Sequence, residues 1–397
     1  MEKLNIIGLL VERSREFGRE LCKGVIDVAQ EHHNWEVRHL APNDLADAPL
    51  ASFAGFVARV TTPAVARRLA ASGRPVVDVF YGHPDPRFAI VKERHESIGR
   101  LAAEHFLEHR FENFACCPFG PGKTATYCRA AFVQRLRRDG HSCAVYQSPG
   151  ASVGYEPDDQ IILGDRFTRP ADADALADWL RKLPKPVAVF CTDDLRAWQV
   201  IELCRENGID VPSQVAVLGL DNDLLLCGCT HPTLSSIDPN PREIGHVAAR
   251  TLAEMIENGI PEKQIVRQVE PKDVVVRAST ETYPLDPPWL SDALVYISHN
   301  AVRGISANDV FKFVGYSQPT VNTAFRRALN TTAQKIIAQS RLSAARHLLL
   351  STDLSVTEVA HRTGYSSIVY FVQSFTDFYK IPPAHFRRQN AVPAICQ

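Results

Sequence analysis

The sequence predicts a two-lobed α/β domain followed by an all-α domain built from two helix-turn-helix units. Short apolar runs alternate with helical patterns from residue 4 to about 240. Pro284, Pro287 and Pro288 then crowd one short segment, and beyond it a helix–glycine–helix pattern occurs twice. Alternating β and α patterns point to parallel sheets flanked by helices, whose strands are apolar on both faces. Crowded prolines block helix and central strand alike and mark an interdomain linker.

In chain order, strands are expected at Leu4–Val11, Gly55–Val60, Pro75–Phe80, Phe114–Cys117, Val187–Cys191 and Val215–Leu220. Each is a short apolar run of strand length. Helices are expected between them, at about Glu16–His32, Pro63–Ser72, Ser97–His109, Thr126–Asp139, Ala171–Lys182 and Leu195–Asn207. A break near Arg110–Asn113 divides the alternation into two lobes. The chain then crosses back, with Thr233–Ile237 extended, Pro241–Glu257 helical and Ile265–Arg277 strand-like. These readings place lobe 1 at about 1–110 with a return segment at 238–278, and lobe 2 at about 111–237. A linker at 279–288 and a helical domain at 289–397 complete the chain.

At 397 residues and 45% hydrophobic, the chain is long enough for two or three domains with their own cores. No apolar run approaches the ~20 residues that a membrane-spanning helix needs. The opening Met1–Gly8 enters a strand-like run without the apolar core and cleavage site of a signal peptide, so a soluble, cytoplasmic protein without a membrane partner is expected. Ten scattered cysteines form no disulfide or zinc framework and read as small buried hydrophobes. The net charge of −1 hides an asymmetry. Residues 290–388 hold 11 Lys and Arg against 5 Asp and Glu, whereas the remainder holds 33 against 40. A basic module on an acidic body suggests a polyanion partner for that module alone.

The helical module repeats. Ser306 with Asp309, and Ser355 with Glu358, have the spacing of capping boxes. Each leads to a glycine, Gly315 or Gly364, suited to the left-handed residue that ends a helix. A Tyr-Ser step and a second helix follow, with apolar pairs Val321/Phe325 and Phe371/Phe375, and the unit is expected to repeat at an offset of 49 residues. Between the copies, Ala333–Leu350 is expected to be one long amphipathic helix. This arrangement resembles the AraC-family DNA-binding domain, on Gly315-Tyr316-Ser317, Phe325-Arg326-Arg327, Arg341–Arg346, Leu354–Ala360, Gly364-Tyr365, Phe375 and Pro382-Pro383. The resemblance implies double-stranded DNA as partner, with the second helix of each unit in a major groove.

By position in that motif, the base readers are Gln318, Pro319, Asn322 and Thr323 in the first copy, and Ser367, Ile368, Val369 and Gln373 in the second. Asn and Gln suit adenine, and Ile and Val suit a thymine methyl. Gln373 departs from the arginine common at its place in the family. Arg326, Arg327, Lys335, Arg387 and Arg388 suit phosphates. Tyr370, Phe371 and Phe375 read as core.

The α/β part resembles the periplasmic-binding-protein fold of lac-repressor-type sensors, on Val189–Asp194, Val217–Asn222 and Leu234–Asp238 leading to Glu243-Ile244-Gly245. In open parallel sheets ligands bind beyond the carboxyl ends of strands. The implied sugar ligands are Asp193 and Asp221, then Arg129 and Asn222, then Arg15 and Phe17. Asp194 reads as a helix cap, because Leu195 starts a helix. Arg94-His95 stands where such sensors commonly carry an Asp-Asn pair, which admits an anionic ligand at that place.

The two modules in one chain resemble bacterial regulators of pentose utilisation. That implies a small sugar effector, D-xylose or a related pentose, a homodimer through the sensor, contact with RNA polymerase during activation, and neither cofactor nor metal. Gly120-Pro121-Gly122-Lys123-Thr124 is a poor phosphate loop, because Cys117 stands where the loop needs glycine and Pro121 removes an amide donor. His105 and His109 have i,i+4 spacing, but Phe106-Leu107-Glu108 between them is not the zinc-protease pattern, so they read as a helix surface. With no nucleophile elbow or dinucleotide loop, a regulator is expected rather than an enzyme.

Overall fold

The computed structural model describes residues 4–390 apart from 33, 46–47, 84, 121, 149–170 and 353. It divides into two compact units, residues 1–281 and 282–397. In the first, β1 (Asn5–Leu10), α1 (Glu16–Glu31), β2 (Trp35–His39), β3 (Gly55–Ala58), α2 (Pro63–Ala71), β4 (Val76–Asp78) and β5 (Ala89–Glu93) run in βα alternation. Next come α3 (His95–Glu108), β6 (Asn113–Cys117), α4 (Lys123–Arg138), β7 (Cys143–Val145), α5 (Ala173–Lys182), β8 (Val187–Cys191), α6 (Asp194–Glu206) and β9 (Val215–Leu220). The short helix α7 (Leu224–Cys229), β10 (Ser235–Ile237), α8 (Pro241–Asn258), β11 (Val266–Val269) and β12 (Val274–Val275) complete the unit.

The strands form two six-stranded sheets, in orders β11-β5-β4-β3-β1-β2 and β12-β10-β9-β8-β6-β7. All pairings are parallel except the antiparallel β10–β12. The central strands β3, β8 and β9 are buried along their whole length, as helices on both faces require.

Three boundaries differ from expectation. The first lobe ends at Arg94 rather than near residue 110, because Ile98, Ala102 and Phe106 of α3 are buried with Phe114, Phe132 and Phe190 in the second lobe's core. The single strand expected over Ile265–Arg277 is split between sheets: β11 joins the first and β12 the second, with Pro271 between them. The tail of the return segment thus belongs to lobe 2. The chain crosses between lobes three times, and two ion pairs join the crossings, Arg94–Glu270 at 2.5 Å and Lys272–Asp238 at 3.3 Å.

The second unit is helical: α9 (Trp289–Asn300), α10 (Ala307–Val314), α11 (Gln318–Leu329), α12 (Ala333–Ser351), α13 (Val356–Arg362), α14 (Ile368–Tyr379) and α15 (Pro383–Asn390). Both capping boxes form, and Gly315 and Gly364 have φ of +74° and +79°. The core of the first helix-turn-helix gathers Leu290, Ile297, Val310, Val321 and Phe325, and that of the second helix-turn-helix gathers Leu342, Leu349, Val359, Phe371 and Phe375. Arg341 on α12 ties them, its Nε and Nη2 donating to the carbonyls of Ala301 and Ile305 at 2.8 and 2.9 Å. The offset is 49 residues only as far as the glycine. The second turn holds one more residue, so α14 begins 50 residues after α11, with Ser317 and Ser367 as their N-caps. Tyr370, expected in the core, is 64% exposed, because Phe371 and Phe375 take the inward face.

Candidate functional site

The segments that leave the carboxyl ends of β1, β3, β4, β5, β6, β8 and β9 converge on a cleft of about 520 Å³. Arg15 and Asp193 meet across it from the two lobes at 3.1 Å. Arg59 pairs with Glu12 at 2.5 Å, and its guanidinium lies 4.5 Å from the Phe80 ring centre. Lys123 sits 3.8 Å from the centre of the Tyr81 ring and donates to the Tyr81 carbonyl at 2.9 Å. Tyr81 itself has a left-handed φ of +57°. Thr124 Oγ1 donates to Glu93 Oε1 at 3.2 Å, and His95 Nε2 lies 3.1 Å from the same oxygen.

Four carboxylates (Glu12, Glu93, Asp193 and Asp221) face three cations (Arg15, Arg59 and Lys123) in this lining. Burial, with Asp193 and Asp194 adding like charge, pushes the Asp221 carboxyl well above the usual carboxylate range. Burial also pushes Glu93 up, but its hydrogen bond to His95 and the charge of that ring outweigh it and hold Glu93 below its ordinary value. With four carboxylates against three cations the lining is within one charge of balance, and the upward push on Asp221 acts toward that balance. Donors and acceptors of both signs beside aromatic faces suit a neutral, polyhydroxylated molecule.

Of the residues the sequence singled out, Arg15, Phe17, Asp193 and Asp221 line the cleft. Asn222, Arg129, Arg94 and His95 do not. Asn222 accepts from Arg277 Nη2 at 2.8 Å, which spends its amide on the β12 segment. Arg129 is half-buried farther along α4. Arg94 points outward to Glu270 at a lobe crossing, and His95 is buried behind Glu93 and stacked on Tyr127. Asp193 and Asp194 exchange their expected roles in part: Asp193 caps α6, accepting from the Leu195 N–H at 2.7 Å. Asp194 is buried, accepting from Ser236 Oγ at 2.6 Å and from the Asp223 N–H at 2.8 Å.

The reading missed Glu12, Arg59, Tyr81 and Glu93, which stand on strand ends that no motif marks. It also set aside Gly122-Lys123-Thr124 as a poor phosphate loop, yet these residues open α4 on the cleft wall; Pro121 lies outside the described residues. His105 is not on a helix surface but buried, with Nε2 3.0 Å from Thr280 Oγ1.

In the helical unit, Gln318, Pro319 and Thr323 are exposed at the start of α11, and Asn322 is half-buried. Ser367, Ile368, Val369 and Gln373 are exposed on α14, with the Ser367 hydroxyl capping that helix by accepting from the Tyr370 N–H. Arg326, Arg327, Lys335 and Arg388 are exposed. Arg387 is a correction: it is half-buried, and its Nε donates to the Leu349 carbonyl at 3.1 Å, closing the end of α12 instead of facing solvent. Among the described residues no helix is long and apolar enough to cross a membrane, and no cluster of His, Cys, Asp or Glu could hold a metal.

Residues 103–280 match the periplasmic binding protein-like domain family and residues 311–389 a helix-turn-helix domain family. The xylose operon regulatory protein of Escherichia coli K12 is 32% identical over 217 residues, which cover 54% of this chain and 55% of that one. The chain thus spans little more than half the length of that curated relative. The xylose operon regulatory protein of Haemophilus influenzae is 27% identical over 305 residues, 76% of this chain and 75% of the relative. A solved xylose-binding transcription activator is 25% identical, with a TM-score of 0.60 over 98% of this chain and 100% of that one. Residues 103–280 are thus similar to periplasmic binding protein-like domains and residues 311–389 to helix-turn-helix domains, and as a whole the chain is similar to the xylose operon regulators.

Proposed function

We propose that this protein is a sugar-responsive, DNA-binding transcription regulator, with a neutral pentose, D-xylose first among them, as effector. The observation that carries the reading is the cleft at the strand ends, lined by carboxylates, cations and aromatic rings from both lobes, in a chain that also bears tandem helix-turn-helix units. A ligand that touches both lobes favours their closed arrangement by its differential affinity, and that bias is what a DNA-binding unit can respond to. Asp193 and Asp221 accept from sugar hydroxyls, Arg15 donates, and Phe17 covers an apolar sugar face. His95 holds the cleft residue Glu93 from behind, and Arg94 pairs with Glu270 at a lobe crossing. Gln318, Pro319, Asn322, Thr323, Ser367, Ile368, Val369 and Gln373 read bases, while Arg326, Arg327, Lys335 and Arg388 hold phosphates. A homodimer that contacts RNA polymerase completes the reading.

Thermal melting against pentoses, hexoses and sugar acids tests it. A sugar at ~100 times its Kd adds about 2.7 kcal/mol to the stability of the first unit. D-xylose is expected to shift the transition, and Asp221→Ala to abolish that shift while leaving sugar-free DNA binding within a few-fold. A shift with sugar acids alone would refute a neutral effector, and an unchanged sugar Kd in Asp221→Ala would remove Asp221 from the site.

A further inference from the structure

Asp221 and Asn222 both have left-handed backbones, with φ of +107° and +49°. Two consecutive non-glycine residues in that region persist only where their surroundings hold them, and such backbones cluster at functional sites. Here lobe 2 holds the turn. The Asp221 N–H donates to the Ile237 carbonyl at 3.1 Å, and the Asn222 N–H to Ser236 Oγ at 2.9 Å. The Asn222 amide oxygen accepts from Arg277 Nη2 at 2.8 Å, while Nη1 of the same guanidinium donates to the Leu234 carbonyl at 2.8 Å. Arg277 thus forks between the turn and the residue before β10, with Asp221 on the cleft wall.

Arg277 is also where the chain begins to leave the first unit, which ends at Glu281. Buried hydroxyls clamp the residues from Arg277 to Thr280. Ser235 Oγ donates to the Arg277 carbonyl at 2.8 Å and accepts from the Arg277 N–H at 2.7 Å and from Thr280 Oγ1 at 2.8 Å. Ser279 Oγ donates to the Val217 carbonyl at 2.6 Å and accepts from the Ser235 N–H at 2.8 Å. His105 Nε2 lies 3.0 Å from Thr280 Oγ1; that hydroxyl gives its proton to Ser235, so the imidazole is the donor. Ser235, Ser279 and Thr280 have no exposed surface, and the Ser235 hydroxyl has its one donor and both acceptor places filled. A satisfied buried network is rigid, so a displacement of the turn is carried to the exit and not absorbed on the way.

We propose that Arg277 is a positioning residue that joins the effector cleft to the interdomain linker. It holds the left-handed turn that presents Asp221, and through the Ser235–Thr280 clamp it fixes the point at which the chain leaves the first unit. The proposal rests on the sugar-sensing reading above.

The test uses the full chain, D-xylose, and a duplex selected by the full chain from a random library. Arg277→Lys keeps the charge but not the fork. Asn222→Gly removes only the amide, at a backbone angle that glycine adopts without strain. Each is expected to weaken D-xylose binding about tenfold, and the double variant no further than either alone, since both break one bond. Thr280→Val leaves the cleft untouched and should keep the D-xylose Kd within about twofold. The factor by which D-xylose changes DNA affinity should fall about threefold or more in that variant, and Thr280→Ser should restore it. In the sugar-free chain, hydrogen exchange should rise over residues 219–224 in Arg277→Lys and over 277–283 in Asn222→Gly. A lowered Tm with an unchanged D-xylose Kd in Arg277→Lys overturns the proposal, as do additive losses in the double variant. So does an undiminished effect of D-xylose on DNA affinity in Thr280→Val, or unchanged exchange in both segments. A wild type that binds no D-xylose overturns the effector reading instead, and the exchange measurement still decides whether Arg277 holds the turn.

Discussion

Gly315 and Gly364 sit at equivalent places in the two helix-turn-helix units, both left-handed, yet replacing them with alanine should have unequal consequences. A left-handed φ costs an L-residue about 1–2 kcal/mol relative to glycine, and this applies to both. At Gly315 a Cβ would meet nothing within 4 Å. At Gly364 it would lie 2.9 Å from the Val302 carbonyl oxygen, 3.1 Å from that of Ala301 and 3.2 Å from Arg341 Nε. The first two are backbone atoms, and the third is held in place by its own hydrogen bond to Ala301. Relief therefore requires moving the turn or displacing the Arg341 guanidinium. A hydrogen bond to a charged group is worth about 1.5–3 kcal/mol, so partial loss adds about 1–2 kcal/mol. Gly315→Ala should cost about 1–2 kcal/mol and Gly364→Ala about 2–4, a difference of about five- to thirtyfold in the unfolding equilibrium. Urea unfolding of the full chain, with hydrogen exchange read over residues 355–380, measures both. Losses equal within about 0.5 kcal/mol, or a larger loss at Gly315, would refute the claim that the second glycine is chosen for close approach as well as for its φ.

Arg326→Ala should leave the second unit's stability within about 0.5 kcal/mol and lower the slope of log K against log salt by about 1. Arg387→Ala should do the reverse, destabilising that unit by about 1–3 kcal/mol through the lost bond to Leu349 while the slope stays put; a reduced slope would return Arg387 to the phosphate contacts. Asp194, which burial pushes up to about 8, holds a proton in the folded chain that the unfolded chain releases near pH 4. The folded state then binds more protons between about pH 4 and 8, so the first unit loses stability as pH rises through that window. Asp194→Asn should flatten this dependence in pH-resolved melting, and an unchanged profile would count against a protonated Asp194.

Much of this protein could be read from its sequence because the deciding forces are local. Capping boxes at Ser306 and Ser355, glycines fit for left-handed turns and the 3.6-residue spacing of Val321/Phe325 and Phe371/Phe375 act within a few residues of chain. The parallel α/β alternation followed from apolar runs that only a sheet covered on both faces can bury. What the tertiary structure decided are matters of position between distant segments. Helix α3 joined the second lobe because Phe106 found its ring partners there, at Phe111 and Phe132, which no property of α3 announces. Neighbouring Asp193 and Asp194 look interchangeable in sequence; the first reaches Arg15 across the cleft while the second meets Ser236. Arg387 and Arg388 are adjacent arginines, and the turn of α15 sends one inward. The cleft itself is assembled from seven strand ends that lie up to about two hundred residues apart in the chain, so Glu12, Arg59, Tyr81 and Lys123 become a site only once parallel pairing has brought those ends to one edge.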